Sequence, residues 1–386
     1  MSTTYVAHTD SEAGELVRRR VAIVAGGTAG HVYPALALAD AYRQARPDVD
    51  LLFIGTADGW ETRLVPAHGY RLAVVPGSPL YGVGLRGVVR AARDLLAGAR
   101  AARRLLQTQR TELVIGFGGY VSAGTILAAR MLGMRTAIHE ANVVPGLTNR
   151  LLGHLVDRVY LAFADASRAF PPRRAVVIGM PLRAEFANAQ RSRDAFSASR
   201  PRRLLVTGGS GGSRFLNGRV PELVARLAQR AVAIEVLHQA GDWPIEPVQA
   251  LYAATGATAT VVSFIDDIGA AYAWADFAVT CAGAGTLAEL AAAALPALLV
   301  PLASAAANHQ ARNAAAFARA AGLRCVAEST WQVEALAEPI VTLLQNADAW
   351  AAAANRVGSL AHADAAARLV ADCEALLHLS STGPAS

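Results

Sequence analysis

The sequence predicts an α/β protein built of two doubly wound parallel-sheet domains. Three observations point there. Apolar strand-like runs alternate with Ala-, Leu- and Arg-rich helical stretches along the chain, as parallel sheets covered on both faces require. A polar, arginine-rich segment without an apolar period, 179 to 203, separates two halves of like plan. Each half opens on a strand that runs into a glycine-rich turn, GGTAGH at 26 to 31 and GGSGGS at 208 to 213. A length of 386 residues suits two domains at about 150 residues each.

In chain order, the first half offers strands at VAIVAG (21 to 26), LLFIG (51 to 55), LAVVP (72 to 76), LVIGF (113 to 117), TAIHE (136 to 140) and RVYLAF (158 to 163). The second half offers RLLVTG (203 to 208), AIEVLHQ (233 to 239), ATVVSF (259 to 264), FAVTC (277 to 281) and ALLVP (297 to 301). The uncharged stretch from Leu290 to Ala311 is broken by Pro296, Pro301, Asn308, His309 and Gln310, so it reads as helix, strand and loop rather than a membrane span. Residues 1–20 lack the apolar core of a secretory signal; they read as a flexible leader on a cytoplasmic protein. The domain bounds expected are 21–182 and 183–360, with a tail at 379–386.

With 53% hydrophobic and 17% charged residues, the chain has material for large cores and does not read as disordered. Cys281, Cys325 and Cys373 are too scattered for a metal-ligand pair or a disulfide framework, and are expected as small buried hydrophobes in a reducing compartment. All 36 basic residues are arginine, which excludes a P-loop lysine and a Schiff base. The net charge of +6 fits nucleic acid, an anionic membrane face or phosphorylated substrates. No helix-turn-helix, zinc or aromatic-platform pattern supports nucleic acid, and none is expected as a partner. From Leu85 to Leu106, apolar residues mix with arginines and a single acid, Asp94. That pattern suits a helix on anionic lipid and equally an amphipathic helix with a solvated arginine face.

A strand ending in glycines before a helix presents unpaired N–H groups and a positive dipole end, a setting for diphosphates. Gly26, Gly27 and Gly30, then Gly208, Gly209, Gly211 and Gly212, and a third run at Gly118 and Gly119 occupy such places. A dehydrogenase reading draws on 283–288, GAGTLA, but no Asp or Glu occurs from Leu290 to Ala327, where a ribose-binding acid belongs.

The order and spacing of GGTAGHVYPALALA (26 to 39), GTADGWETRLVPAHG (55 to 69), GFGGYVS (116 to 122), HEANVVPGLTNR (139 to 150), GMPLR (179 to 183), TGGSGGSRFLN (207 to 217), FIDDIGAAYAWAD (264 to 276), AGAGTLAELAAAALPALLVPL (282 to 302) and HQARNA (309 to 314) carry a resemblance. From about Val21 to the final helix, the chain resembles the MurG family of peptidoglycan glycosyltransferases. The resemblance implies a GT-B architecture, two Rossmann-like domains facing a cleft, with the segment Ala361 to His378 rejoining the N-terminal fold. It implies inverting transfer of N-acetylglucosamine from UDP-N-acetylglucosamine to undecaprenyl-linked lipid I, forming lipid II. It also implies no metal at the reaction centre, no cofactor, and peripheral attachment to the anionic cytoplasmic face of the inner membrane.

Such a transfer needs a base for the acceptor hydroxyl and a device that steadies the departing diphosphate. His31, at the tip of the first turn with an ordinary pKa near neutrality, is the candidate base; orienting the acceptor or capping its own loop is the other reading. Ser210 is placed to help hold the leaving UDP, and Arg183 can supply a delocalised cation. The resemblance carries over Thr28, Ala29 and Gly30 as donor-facing residues, Asn142 as a polar contact, and Ile265 as the position whose backbone reads uracil. It adds Ala284, Gly285, Thr286, Leu287 and Ala288 to the donor site, with Glu289 on the ribose hydroxyls and Gln310 on the sugar. Thr286 to Glu289 also spells a capping box, an alternative role for that acid. Ala141, Met180, Gly211 and Asn308 depart from the family pattern, which puts acceptor contacts in question more than donor class. Rival readings are another UDP-sugar transferase or epimerase, separated by acceptor-dependent UDP release, and a non-catalytic UDP-sugar-binding protein indifferent to loss of His31.

Overall fold

The computed structural model of the protein describes residues 19–77, 85–188, 200–305 and 308–381. The described chain divides into two compact units, one running to Arg183 and including the segment from Asp364, the other Ala184–Ala363.

The first unit contains β1 (Arg20–Val24), α1 (Ala29–Ala45), β2 (Asp50–Gly55), α2 (Glu61–Ala67), β3 (Arg71–Val74), α3 (Leu85–Thr108), β4 (Leu113–Gly116), α4 (Tyr120–Met131), β5 (Arg135–Glu140), α5 (Leu147–Leu152), β6 (Arg158–Leu161) and β7 (Ala175–Val177). The strands pair in parallel in the order β3-β2-β1-β4-β5-β6-β7. The direction of winding reverses between β1 and β4, the place at which doubly wound sheets receive ligands beyond the carboxyl ends of their strands. Val21 and Ile23 of β1 pack with Val32, Leu36 and Tyr42 of α1, whereas Ala22 and Val24 pack with Leu106, Val121 and Ile126 of α3 and α4. Both faces are covered, which is why these strands read as unbroken apolar runs rather than alternations.

The second unit contains β8 (Arg202–Thr207), α6 (Arg214–Gln229), β9 (Ile234–Gln239), α7 (Glu246–Ala253), β10 (Thr258–Val262), α8 (Ile268–Trp274), β11 (Phe277–Thr280), α9 (Ala284–Ala292), β12 (Ala297–Leu299), α10 (His309–Ala321), β13 (Arg324–Cys325), α11 (Val333–Gln345) and α12 (Ala347–Gly358). Its parallel order is β10-β9-β8-β11-β12-β13, with the reversal between β8 and β11. The last helix, α13 (Ala365–Ser381), packs along α1 and places Leu369, Val370 and Cys373 in the first unit's core.

Several local expectations are corrected. β7 and β13 were not anticipated: β7 takes only three residues of the short apolar run AVVIGM, and β13 is two exposed residues at a sheet edge with no apolar run. Cys325 lies on β13 and is exposed, whereas Cys281 and Cys373 are buried as expected. β1 begins at Arg20 and Arg19 pairs with Glu374 at 3.5 Å, so both belong to the fold and not to the leader. Residues 1–18 and 382–386, and with them most of the leader and the tail, lie outside the described residues. The side chains of α3 up to Ala92 are likewise outside the description; beyond them Arg93, Arg100, Arg103 and Arg104 are exposed while Ala102, Leu105 and Leu106 are buried. In that stretch α3 is an amphipathic helix whose apolar face packs on α4 and the sheet, with Leu96 left 57% exposed. Among the described residues no helix is long and apolar enough to cross a membrane.

Candidate functional site

In the first unit two glycine turns come into contact at the β1–β4 reversal. Gly119 has φ +85, and a Cβ there would lie 2.4 Å from the Gly26 carbonyl oxygen. Gly118 has φ +114, and a Cβ there would meet the His31 ring at 2.8 Å. Thr28 starts α1 from an extended conformation, so Ala29 and Gly30 are its first residues, where N–H groups have no partner four residues back. Ala29 is 4% exposed and can offer a ligand only its backbone; Thr28 and Gly30 are exposed.

His31 is half-buried, with Nδ1 at 3.2 Å from the Gly26 carbonyl oxygen and 3.3 Å from Thr28 Oγ1. A carbonyl only accepts, so Nδ1 carries the hydrogen and Nε2 keeps a lone pair. Burial lowers the His31 pKa below 6.5, opposed by the Gly26 bond and then by the charge of Glu61. The ring is therefore neutral near pH 7, in the form a general base needs.

Beneath the turn lies Glu61, which the sequence reading overlooked. Its Oε1 accepts from the Thr56 N–H at 2.7 Å and Thr56 Oγ1 at 2.8 Å, and its Oε2 from the Gly27 N–H at 3.0 Å. The signal available was the pair of glycines, Gly55 and Gly59, just ahead of an acid in GTADGWE. Next to this assembly, His139 stacks on Phe117 and places Nε2 at 3.1 Å from the Gly179 carbonyl; burial takes its pKa down to about 4. Buried Glu140 accepts from the Asn142 N–H (2.8 Å), Asn142 Nδ2 (3.1 Å), the Gly146 N–H (3.2 Å) and Asn149 Nδ2 (2.9 Å). Asn142 thus turns part of its amide to Glu140, which shapes the loop after β5. The Arg183 guanidinium sits 4.4 Å from the ring centre of Tyr33, two residues beyond His31 on α1. Met180 is buried, so the departure there changes the core lining and not a ligand contact.

In the second unit the turn after β8 is closed by a Gly212 N–H to Gly209 carbonyl bond of 3.0 Å, with half-buried Ser210 at its bend. Ser213 caps α6 by accepting from the Leu216 N–H at 3.3 Å. A side chain at Gly211 would meet only Asp242 Oδ2, at 3.7 Å, so space does not demand that departure. Asn308 has φ 56, a left-handed conformation that asparagine tolerates better than most residues, which gives its presence a local reason.

Gln239, also overlooked, spans this site: Nε2 donates to the Gly209 carbonyl at 2.8 Å and Oε1 accepts from the Ile265 N–H at 2.9 Å. Backbone reading of a base by Ile265 therefore falls to its carbonyl while this bond stands. Helix α9 begins at Ala284 with Gly283 as its cap residue, so Thr286 lies within the first turn and the capping-box role for Glu289 is overturned. Ala284, Gly285, Thr286, Ala288 and Glu289 are half-buried, but Leu287 is fully buried in the core and cannot present its side chain. Glu289 Oε2 accepts from Tyr272 Oη at 3.1 Å. Gln310 Oε1 accepts from the Ala282 N–H at 3.1 Å and the Leu302 N–H at 2.9 Å, which fills its lone pairs and leaves Nε2 as the group for a ligand.

The first unit thus carries a neutral imidazole on a glycine turn, and the second carries donor-rich helix starts beside a carboxylate. The N-terminal domain of glycosyltransferase family 28 matches residues 21–161, and the C-terminal domain of that family matches residues 203–369. The chain belongs to glycosyltransferase family 28. Within the family, it is 43% identical over 359 residues (92% of this chain, 96% of the relative) to a Chromohalobacter salexigens UDP-N-acetylglucosamine–N-acetylmuramyl-(pentapeptide) pyrophosphoryl-undecaprenol N-acetylglucosamine transferase. A Sorangium cellulosum protein of the same description is 41% identical over 91% of this chain and 87% of its own length. The crystal structure of Acinetobacter baumannii MurG superimposes with a TM-score of 0.76 at 31% identity, covering 92% of this chain and 99% of that one. A Listeria monocytogenes structure described as a UDP-N-acetylglucosamine 2-epimerase shares the fold at TM-score 0.68 and 14% identity. The two-sheet GT-B glycosyltransferase architecture is therefore as the sequence led us to expect.

Proposed function

We propose that this glycosyltransferase moves N-acetylglucosamine from UDP-N-acetylglucosamine to the muramoyl 4-hydroxyl of undecaprenyl-linked lipid I, with inversion, making lipid II for peptidoglycan. The observation that carries the reading is 43% identity sustained over 92% of the chain to a transferase so described, since it spans both halves and not one shared domain.

In this scheme His31 Nε2 takes the hydroxyl proton as the oxygen attacks the sugar carbon, and the carbon–phosphate oxygen bond breaks with its electrons leaving on UDP. With Nδ1 turned to the Gly26 carbonyl, the lone pair on Nε2 supports that role over a mere cap. Ser210, the N–H groups of its turn and the start of α9 at Ala284, Gly285 and Thr286 suit the departing diphosphate, with Arg183 as a delocalised cation. Glu289 suits ribose hydroxyls, the Ile265 carbonyl the uracil edge, and Gln310 Nε2 a sugar hydroxyl. Thr28, Ala29 and Gly30 contribute their backbone, and Asn142 its remaining amide capacity; Leu287 and Ala288 shape the donor site from behind.

Attachment to the anionic cytoplasmic face of the membrane is supported by exposed Met131 (73%) on α4 and Leu147 (60%) and Leu151 (64%) on the adjacent α5, beside exposed Arg130 and Arg150. The test is UDP release with UDP-N-acetylglucosamine and a lipid I analogue, repeated with other UDP-sugars and with His31→Ala, alongside sedimentation with anionic and neutral vesicles. Acceptor-dependent release with this donor, lost by about 10²-fold or more in His31→Ala, is expected. Turnover only with another donor or acceptor rejects the substrate assignment, and equal binding to neutral vesicles rejects the electrostatic attachment.

A further inference from the structure

Glu61 is fully buried, and among the described residues no arginine pairs with it. Burying a carboxylate is costly, and an apolar side chain would fill the space at less expense. Room has also been left for it: a Cβ at Gly55 would lie 2.4 Å from Glu61 Cγ, at Gly59 1.9 Å from Oε2, and at Gly26 2.9 Å from Oε1. What the carboxylate grips is the N–H of Gly27, 3.0 Å from Oε2.

The Gly26–Gly27 peptide is a planar trans unit, so its N–H and its carbonyl point in opposite directions. Glu61 holds one end, and His31 Nδ1 meets the other end 3.2 Å from the Gly26 carbonyl oxygen. One rigid amide thus joins a buried carboxylate to the imidazole. We infer that Glu61 is a positioning residue for the transfer step, fixing the orientation and tautomer of His31 through the Gly26–Gly27 peptide.

The inference rests on His31 being the base in the reaction proposed above. A carboxylate on the N–H polarises the amide and makes its carbonyl a stronger acceptor, which keeps the hydrogen on Nδ1 and the lone pair on Nε2. The charge of Glu61 also offsets part of the loss of basicity that burial imposes on the ring. Among the described residues His139 also interacts with the ring, and its own burial holds it neutral at ordinary pH.

The test combines a reading of the unaltered protein with one variant. Nitrogen NMR of the whole protein with labelled histidine should show neutral His31 hydrogenated on Nδ1; hydrogen on Nε2 overturns the inference. Glu61→Gln preserves shape and removes charge, so kcat should fall by about 10-fold to 100-fold, a share of what a positioned base supplies, with donor KM within about twofold. Without the negative charge the imidazolium is less favoured, the His31 pKa drops, and the acid limb of the kcat profile moves to lower pH. A limb that stays in place with kcat preserved overturns the inference. Should Glu61→Gln not fold, the tautomer in the unaltered protein decides. Absence of transfer by the unaltered protein would reject the proposed function instead, and the tautomer, read without substrate, still judges the relay from Glu61.

Discussion

Replacing Gly118 by alanine probes how tightly the candidate base is seated. At φ +114 an L-residue is strained by about 1–3 kcal/mol. Its Cβ would stand 2.8 Å from Cδ2 and Nε2 of His31, whereas nonbonded carbon contacts settle at about 3.5–4.0 Å, so the ring must retreat by roughly 1 Å. A displacement of that size at a reacting group costs about 10²-fold in rate. Strain alone is measured by Gly133→Ala, where φ is +74 and nothing lies within 4 Å of the added carbon, so stability falls by about 1–2 kcal/mol without touching the ring. The assay is kcat for acceptor-dependent UDP release per folded molecule, with a thermal melt of each variant. Gly118→Ala should lose about 10²-fold while Gly133→Ala keeps the rate of the unaltered protein. If the two variants retain kcat within about twofold of each other, His31 is not held against the third turn in the reacting state, and the argument for its seating fails.

Acid should unfold the protein through its buried histidines. His139 and His238 both have folded pKa values near 4, lowered from 6.5 chiefly by desolvation. Between those values the unfolded chain binds protons that the folded one refuses, so stability is level above pH 6.5, falls as pH drops, and levels again below 4, by about 3 kcal/mol per histidine. Melting temperatures flat from pH 7 to pH 4 would contradict this. Glu289→Gln should raise the donor KM by about tenfold with a smaller change in kcat, because a neutral amide accepts more weakly from ribose hydroxyls. An unchanged donor KM would remove Glu289 from the ribose site.

The long strands were legible because they are covered on both faces and so are apolar throughout: VAIV of β1 and LVIG of β4 announce themselves without help from their neighbours. The edge strand Arg324–Cys325 was not, since its residues are exposed and carry no pattern. Glycine runs marked the two reversal points because turns with positive φ and close backbone approach leave few other choices of residue. Glu61 and Gln239 escaped notice for the opposite reason: each looks like an ordinary polar residue, and its partners, Gly27 for one and Gly209 with Ile265 for the other, stand 34, 30 and 26 positions away.

Sequence alone determined the two-sheet plan, the places of the turns and the family, because hydrophobic period, backbone geometry and motif order are local properties written residue by residue. Only the tertiary structure decided which nitrogen of His31 is free, that Leu287 belongs to the core, that Thr286 caps nothing, and that the Ile265 N–H is already taken. The first and third of these rest on the exact backbone path of a single turn, which composition does not specify, and the other two on burial and bonds to segments distant in sequence, which exist only once the sheets have closed.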